Sequence, residues 1–178
     1  MASATKGPKP RPEAMEQKAI AILGAHRVMA ISTVRPDGWP QATIVGYANE
    51  GFDVFFMIFR SSQKFANIAH DDRVAIAVGE EPGSLKAIEA VYAGGHAREV
   101  IEPKARAYAW KLLAARHPNL SDFDPPGADE TAIMCITCQY VSVLDYSRGV
   151  GHTESLVVGG AEPQSSEHTD QWGAAAAG

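Results

Sequence analysis

An apolar run, Phe55-Phe56-Met57-Ile58-Phe59, leads directly into Arg60-Ser61-Ser62-Gln63-Lys64 and then Phe65-Ala66-Asn67-Ile68. A strand that opens into a helix through hydroxyls and a lysine has the chemistry of an anion site. Ser61 or Ser62 can cap the helix by accepting from its free N–H groups. A phosphate can use the same donors, with a charge-assisted bond from Lys64 and the favourable end of the helix dipole. The same residues also suit an ordinary N-cap beside a solvated lysine, so the reading depends on what surrounds them.

Upstream, Ala30-Ile31-Ser32-Thr33-Val34 and Gln41-Ala42-Thr43-Ile44-Val45-Gly46-Tyr47 are β-type runs on either side of Arg35-Pro36-Asp37-Gly38-Trp39-Pro40. Proline presets φ at one turn position and Gly38 tolerates positive φ, so the segment is expected to be a hairpin. A third strand, Phe52 to Phe59, follows the Asn49-Glu50-Gly51 turn and completes a meander ending at the anion junction. Asp71-Asp72-Arg73 then leads into a fourth strand, Val74 to Val78. Lys86 to Val100 reads as a long strand, with Gly94-Gly95 marking a bulge or sharp bend. Ala132 to Tyr146 reads as the last long strand. Two helices complete the set: Ala14 to Ala25, with Met15, Ala19, Ile22 and Leu23 at helical spacing, and Lys104 to Arg116 after Pro103, with Ala107, Trp110, Leu113 and Ala114 on one face.

In order and spacing these pieces resemble the FMN-binding split β-barrels related to pyridoxamine 5′-phosphate oxidase. The resemblance runs through the Ser-Thr strand, the Asp-Gly-Trp-Pro turn, Ser62-Gln63-Lys64 with Asn67-Ile68, and Asp72-Arg73-Val74. It continues in Gly95-His96-Ala97-Arg98-Glu99-Val100 and Val143-Leu144-Asp145-Tyr146-Ser147, covering roughly residues 15 to 158. It implies a mainly β fold with short helices, a six-stranded antiparallel split β-barrel that forms a homodimer with FMN between the subunits. Carried over by position, Ser62 and Lys64 match phosphate binders, Gln63 stands where the oxidase often has arginine, and Arg60 and Ser61 lie beside them. Thr43, Ile44, Val45, Gly46 and Tyr47 match the segment whose backbone faces the isoalloxazine edge, and Met57 and Ile58 the segment along the ring and ribityl chain.

Two departures set the chain apart from the oxidase itself. The C-terminal Arg-x-His that holds the vitamin substrate has no counterpart in Asp145-Tyr146-Ser147-Arg148-Gly149-Val150-Gly151-His152, and Glu89-Ala90 stands near a position usually held by a flavin-contacting glutamine. The resemblance is therefore to the general-stress-type branch. It implies an FMN-dependent oxidoreductase passing electrons or hydride from a reduced nicotinamide to a small organic acceptor. Relatives with the same fold bind a deazaflavin coenzyme or haem instead, and a flavin-binding stress or sensor protein without turnover is the third class. A deazaflavin's long acidic tail calls for a basic groove, and the chain offers little beyond Arg60, Lys64 and Arg73, which favours FMN. Arg148 and His152 are the candidates for acid or base chemistry; alternatively they belong to a C-terminal segment stitching the dimer. His117 is assigned no role.

The 178 residues, 46% hydrophobic, suffice for one core. The expected division is a disordered arm over 1–13, a split-barrel flavin-binding domain over 14–158 and a flexible tail over 159–178. A net charge of -5 without a basic stripe argues against nucleic acid as a partner. No apolar run spans a bilayer, and Met1 to Pro12 lacks the apolar core of a signal peptide, so the expected location is cytoplasmic. Cys135 and Cys138 lie three apart in a β-type run and should face opposite sides, as core residues rather than a redox or zinc pair; no metal site is expected. The acidic Pro118–Glu130 loop is read as a connector.

Overall fold

The computed structural model describes residues 12–120, 127–158 and 164–166. Helix α1 (Pro12–Ala25) precedes strands β1 (Val28–Val34), β2 (Pro40–Glu50) and β3 (Asp53–Phe59), and helix α2 (Gln63–His70) leads to β4 (Arg73–Gly79). Then come β5 (Glu89–Glu99), α3 (Pro103–Arg116), β6 (Thr131–Asp145), β7 (Thr153–Val157) and β8 (Gln164–Ser166). Every pairing is antiparallel, and the ring β1-β2-β3-β6-β5-β4 closes through β3–β6 and β1–β4. The protein is thus mainly β, with three helices around a closed six-stranded barrel.

Local chemistry sets the corners. Gly38 takes φ +86° in the first hairpin, where the Arg35 N–H donates to Trp39 O at 2.9 Å, and Gly51 takes φ +58° in the second. Both are conformations that L side chains resist. Along each strand alternate residues turn inward. Met29 and Ile31, Val54 and Phe56, Val74 and Ile76, and Val91 and Ala93 are buried in one core with Met134 and Ile136 of β6. Helix α1 supplies Met15, Ala19, Ile22 and Leu23 to that core. It is latched by Lys18, which pairs with Glu89 at 2.9 Å and with Asp145. Burial pushes the Asp145 carboxyl up, but the hydrogen bonds from Lys18 and Ser147 outweigh it and hold the pKa below its usual value.

Strand β6 serves two neighbours on one side. Its first half, Thr131 to Thr137, pairs with β3, and its second half, Tyr140 to Leu144, pairs with β7. The changeover coincides with a register shift against β5: Gly94 faces Tyr140 while Gly95 faces Cys138, leaving Gln139 as the extra residue. This bulge resets the alternation, so Cys138 and Val141, three apart, are both in the core. The expected bend at Gly94-Gly95 is therefore present, and Gly95 is required by it, because a Cβ there would lie 2.2 Å from the Thr137 carbonyl oxygen.

Several details differ from the sequence reading. A 3-10 turn at Leu85–Ala87 delays β5 to Glu89. The buried residues of α3 are Ala109 and Leu113; Ala107 is exposed, since an alanine-rich helix carries no clear apolar stripe. Strand β7 was not anticipated, as Thr153-Glu154-Ser155 is polar, and Thr153 and Glu154 become buried only beside β6. Residues 164–166 of the expected tail pair as β8 with β7, while the rest of that span and residues 1–11 lie outside the described residues. Cys138 is buried and Cys135 half-buried, paired opposite Phe55 and Arg98. Burial pushes their thiols up, to about 12 and about 11, as befits packing residues.

Gly95→Ala is expected to lower stability by about 1–3 kcal/mol, because the clash is with backbone that cannot rotate away. Urea unfolding followed by circular dichroism measures it; an unchanged midpoint would contradict the account of the bulge.

Candidate functional site

The β2–β3 ladder is short. It runs from Glu50↔Asp53 to Tyr47↔Phe56 and stops, although both strands continue. Beyond that point β2 pairs with β1 down to Val34↔Pro40, and β3 pairs with β6 down to Phe59↔Thr131. Among the described residues no ladder pair joins Gln41–Gly46 to Met57–Phe59, so these facing edges leave a gap in the barrel wall.

The residues read from sequence as a cofactor site lie along this gap. Thr43, Ile44, Val45 and Gly46 form the β2 lip, Met57 and Ile58 the β3 lip, and Arg60, Ser61, Ser62, Gln63 and Lys64 turn the chain into α2 at the end of β3. Strand alternation divides their side chains. Ile44 is 69% exposed and Gly46 is exposed, whereas Ile58 and Tyr47 are buried in the core. Tyr47 is fully committed: its hydroxyl donates to Leu23 O at 2.7 Å, its N–H donates to Arg27 O, and its carbonyl accepts from His117. The Thr43 Oγ1 is shielded from solvent and has no hydrogen-bond partner among the described residues. A buried hydroxyl in that state is uncommon in a folded protein, and this one belongs to the β2 lip of the gap.

At the helix end the structure sorts the candidates. The Ser62 hydroxyl donates to Phe59 O at 2.7 Å and accepts from the Phe65 N–H at 3.3 Å, so it is the N-cap. Gln63 donates to the Asn67 side chain at 2.9 Å. Arg60 forms a two-pronged ion pair with Glu99, donates from Nε to Ala128 O at 2.7 Å and lies 5.3 Å over the Phe65 ring. Its charge is thereby neutralised, and it secures the turn. Lys64 makes no ion pair among the described residues, and partial burial lowers its pKa. A partly desolvated ammonium without a carboxylate partner, beside Gln63 and Lys64 N–H groups that meet no backbone acceptor among the described residues, has the chemistry that suits an anion.

Two contributors were not assigned from sequence. Asn67 is completely buried and its amide donates to Thr33 Oγ1 at 2.9 Å and Gln41 Oε1 at 3.0 Å. It ties α2, which hangs from β3, across to β1 and β2. Its place in Lys64-Phe65-Ala66-Asn67 was the available signal, since a helical i,i+3 step brings Asn67 under Lys64. His117, the C-cap of α3, lies over Gly46: a Cβ at 46 would come within 2.9 Å of the imidazole. Nothing in the sequence relates these two residues, 71 positions apart. By contrast, Arg148 and His152 gather around buried Glu154. They follow the end of β6 opposite to Thr131, where β3 and Arg60 lie. The 15-residue strand separates them within one chain, on the order of 40 Å.

A closed six-stranded antiparallel barrel with one parted strand pair, flanked by a helix-end cation, has the architecture of a split β-barrel. The chain belongs to the pyridoxamine 5′-phosphate oxidase family, whose model matches residues 15–145. No curated protein matches it. Solved structures share the fold. A heme binding protein from Mycobacterium smegmatis is 22% identical with a TM-score of 0.70, over 83% of this chain and 59% of that one. The chain thus spans well under two thirds of that protein's length. General stress protein 26 from Bacillus anthracis is 17% identical with a TM-score of 0.58, over 73% and 93% of the two chains. A FAD-binding protein from Mesorhizobium loti is 20% identical with a TM-score of 0.58, over 71% and 91%.

Asn67→Ala should cost about 1–3 kcal/mol by leaving buried partners unsatisfied. The unfolding midpoint reads the loss; an undisturbed midpoint would remove Asn67 from the frame of the site.

Proposed function

We propose that this protein is an FMN-binding flavoprotein that works as an oxidoreductase, with the cofactor seated in the gap between β2 and β3. The observation that carries the reading is the early end of the β2–β3 ladder beside an unpaired, partly desolvated Lys64. In this arrangement Lys64, Ser61 and the first N–H groups of α2 bind the phosphate, while Ser62 and Arg60 position that turn. Thr43 Oγ1 supplies a hydrogen bond inside the gap, and the unpaired edges of Gln41–Gly46 and Met57–Phe59 offer backbone donors and acceptors. Met57 and Ile44 add apolar walls. Bound flavin would supply two-electron chemistry, and the chain's part is binding, orientation and exclusion of water. No described helix is long and apolar enough to cross a membrane.

The assembly we propose is a homodimer. The outer faces of β1, β2 and β3 carry exposed Val28, Ile44 and Phe59, at 57%, 69% and 64%. Scattered exposed residues are unremarkable, but these flank the gap, where a second copy would cover both the apolar surface and the cofactor.

Lys64→Ala is expected to weaken FMN retention ten- to a hundredfold, the equivalent of about 1.5–3 kcal/mol for a charge-assisted bond. The check is the visible spectrum after FMN loading and removal of excess, with the released cofactor identified by mass. Retention equal to the parent's would discard the anion site, and haem or deazaflavin recovered in place of flavin would discard the FMN assignment. Ile44→Asp should shift size-exclusion elution from dimer to monomer and lower flavin retention with it. A parent that elutes as a monomer holding FMN at full strength would overturn the dimer.

A further inference from the structure

On the outer side of Gly46 and Met57 lies a half-open cavity of about 380 Å³, lined also by Arg27, Leu113, His117 and the Pro118–Leu120 turn. That volume is within the range of small-molecule sites. Its walls come from four parts of the chain, and Arg116 ties three of them together. The Arg116 guanidinium donates to Gly24 O at 2.6 Å, to His26 O at 2.9 Å and to Asn49 Oδ1 at 3.1 Å. The end of α3, which carries His117, is thereby fastened to the loop that carries Arg27.

The polar groups are few and specific. Arg27 makes no ion pair among the described residues, although most arginines placed by the fold do. His117 Nε2 lies 3.0 Å from the Tyr47 carbonyl oxygen. A carbonyl only accepts, so Nε2 carries the proton, and in the neutral ring Nδ1 is left as the acceptor. Gly46 is part of the construction, because any side chain there would displace the ring. The cavity is therefore lined by an exposed arginine that makes no ion pair among the described residues, by a histidine whose Nδ1 is left to accept, and by the apolar Met57, Leu113 and Leu120.

We infer that this cavity is the substrate subsite of the proposed flavin site, and that it takes a small carboxylate with an apolar body and a hydroxyl beside the carboxyl group. Arg27 binds the carboxylate, His117 Nδ1 accepts from the hydroxyl, and the body packs on Met57 and Leu113. The inference rests on the flavin reading only for the word substrate, since Gly46 and Met57 are walls of both sites. The binding chemistry belongs to the cavity itself.

The test is calorimetric titration of the full FMN-loaded chain with salicylate and, separately, benzoate. One equivalent of salicylate should bind, more tightly than benzoate. Arg27→Gln should weaken both at least tenfold while the flavin absorbance is retained, and His117→Leu should abolish the preference for salicylate. No salicylate binding, or equal binding by the parent and Arg27→Gln with flavin still in place, would overturn the subsite and leave the flavoprotein reading intact. One-for-one displacement of FMN by salicylate would also overturn it, making the cavity the flavin's own. Arg27-dependent salicylate binding by a chain that never retains flavin would support the cavity chemistry and sink the flavin reading.

Discussion

Antiparallel pairing is all or nothing at each residue: a backbone edge is bonded to its neighbour or it is open. The structure depends on where β2 and β3 stop bonding to each other. Each remains anchored on its far side, β2 by β1 and β3 by β6, so the wall can open without loosening either strand. An open edge inside a closed barrel is costly unless something fills it. That cost is the physical argument behind the ligand site proposed above.

The bulge opposite Gly94/Gly95 makes this affordable. By resetting β6 it directs the strand's first half to β3 and its second half to β7, so β3 keeps a full-length partner even where β2 has left it. Asn67 then bridges the opening from α2, and Arg116 fastens α3 over the other flank. A rigid frame around a local gap is what positions cofactor and substrate groups to within a fraction of an ångström.

The charges follow the same division of labour. Arg60, first among the cations at the junction, is paired with Glu99 and serves the turn, while Lys64 makes no ion pair among the described residues and its pKa is lowered by partial burial. Two cations four residues apart thus have different roles because of what the tertiary fold places opposite each.

Much was determined by the sequence alone. The Pro-Asp-Gly turn, the period-two runs, the hydroxyl cap at Ser62 and the Gly94-Gly95 bend are local signals, since φ preferences and side-chain alternation act over a few residues. They placed six strands, three helices and the strand-to-helix junction at Ser62 close to where they lie. The tertiary structure decided the rest. It set the end of the β2–β3 ladder, the burial of polar β7, the commitment of Arg60 to Glu99 and the meeting of His117 with Gly46. Each of these depends on contacts between residues tens of positions apart, and no local preference encodes which distant partner a backbone edge or a charge will meet.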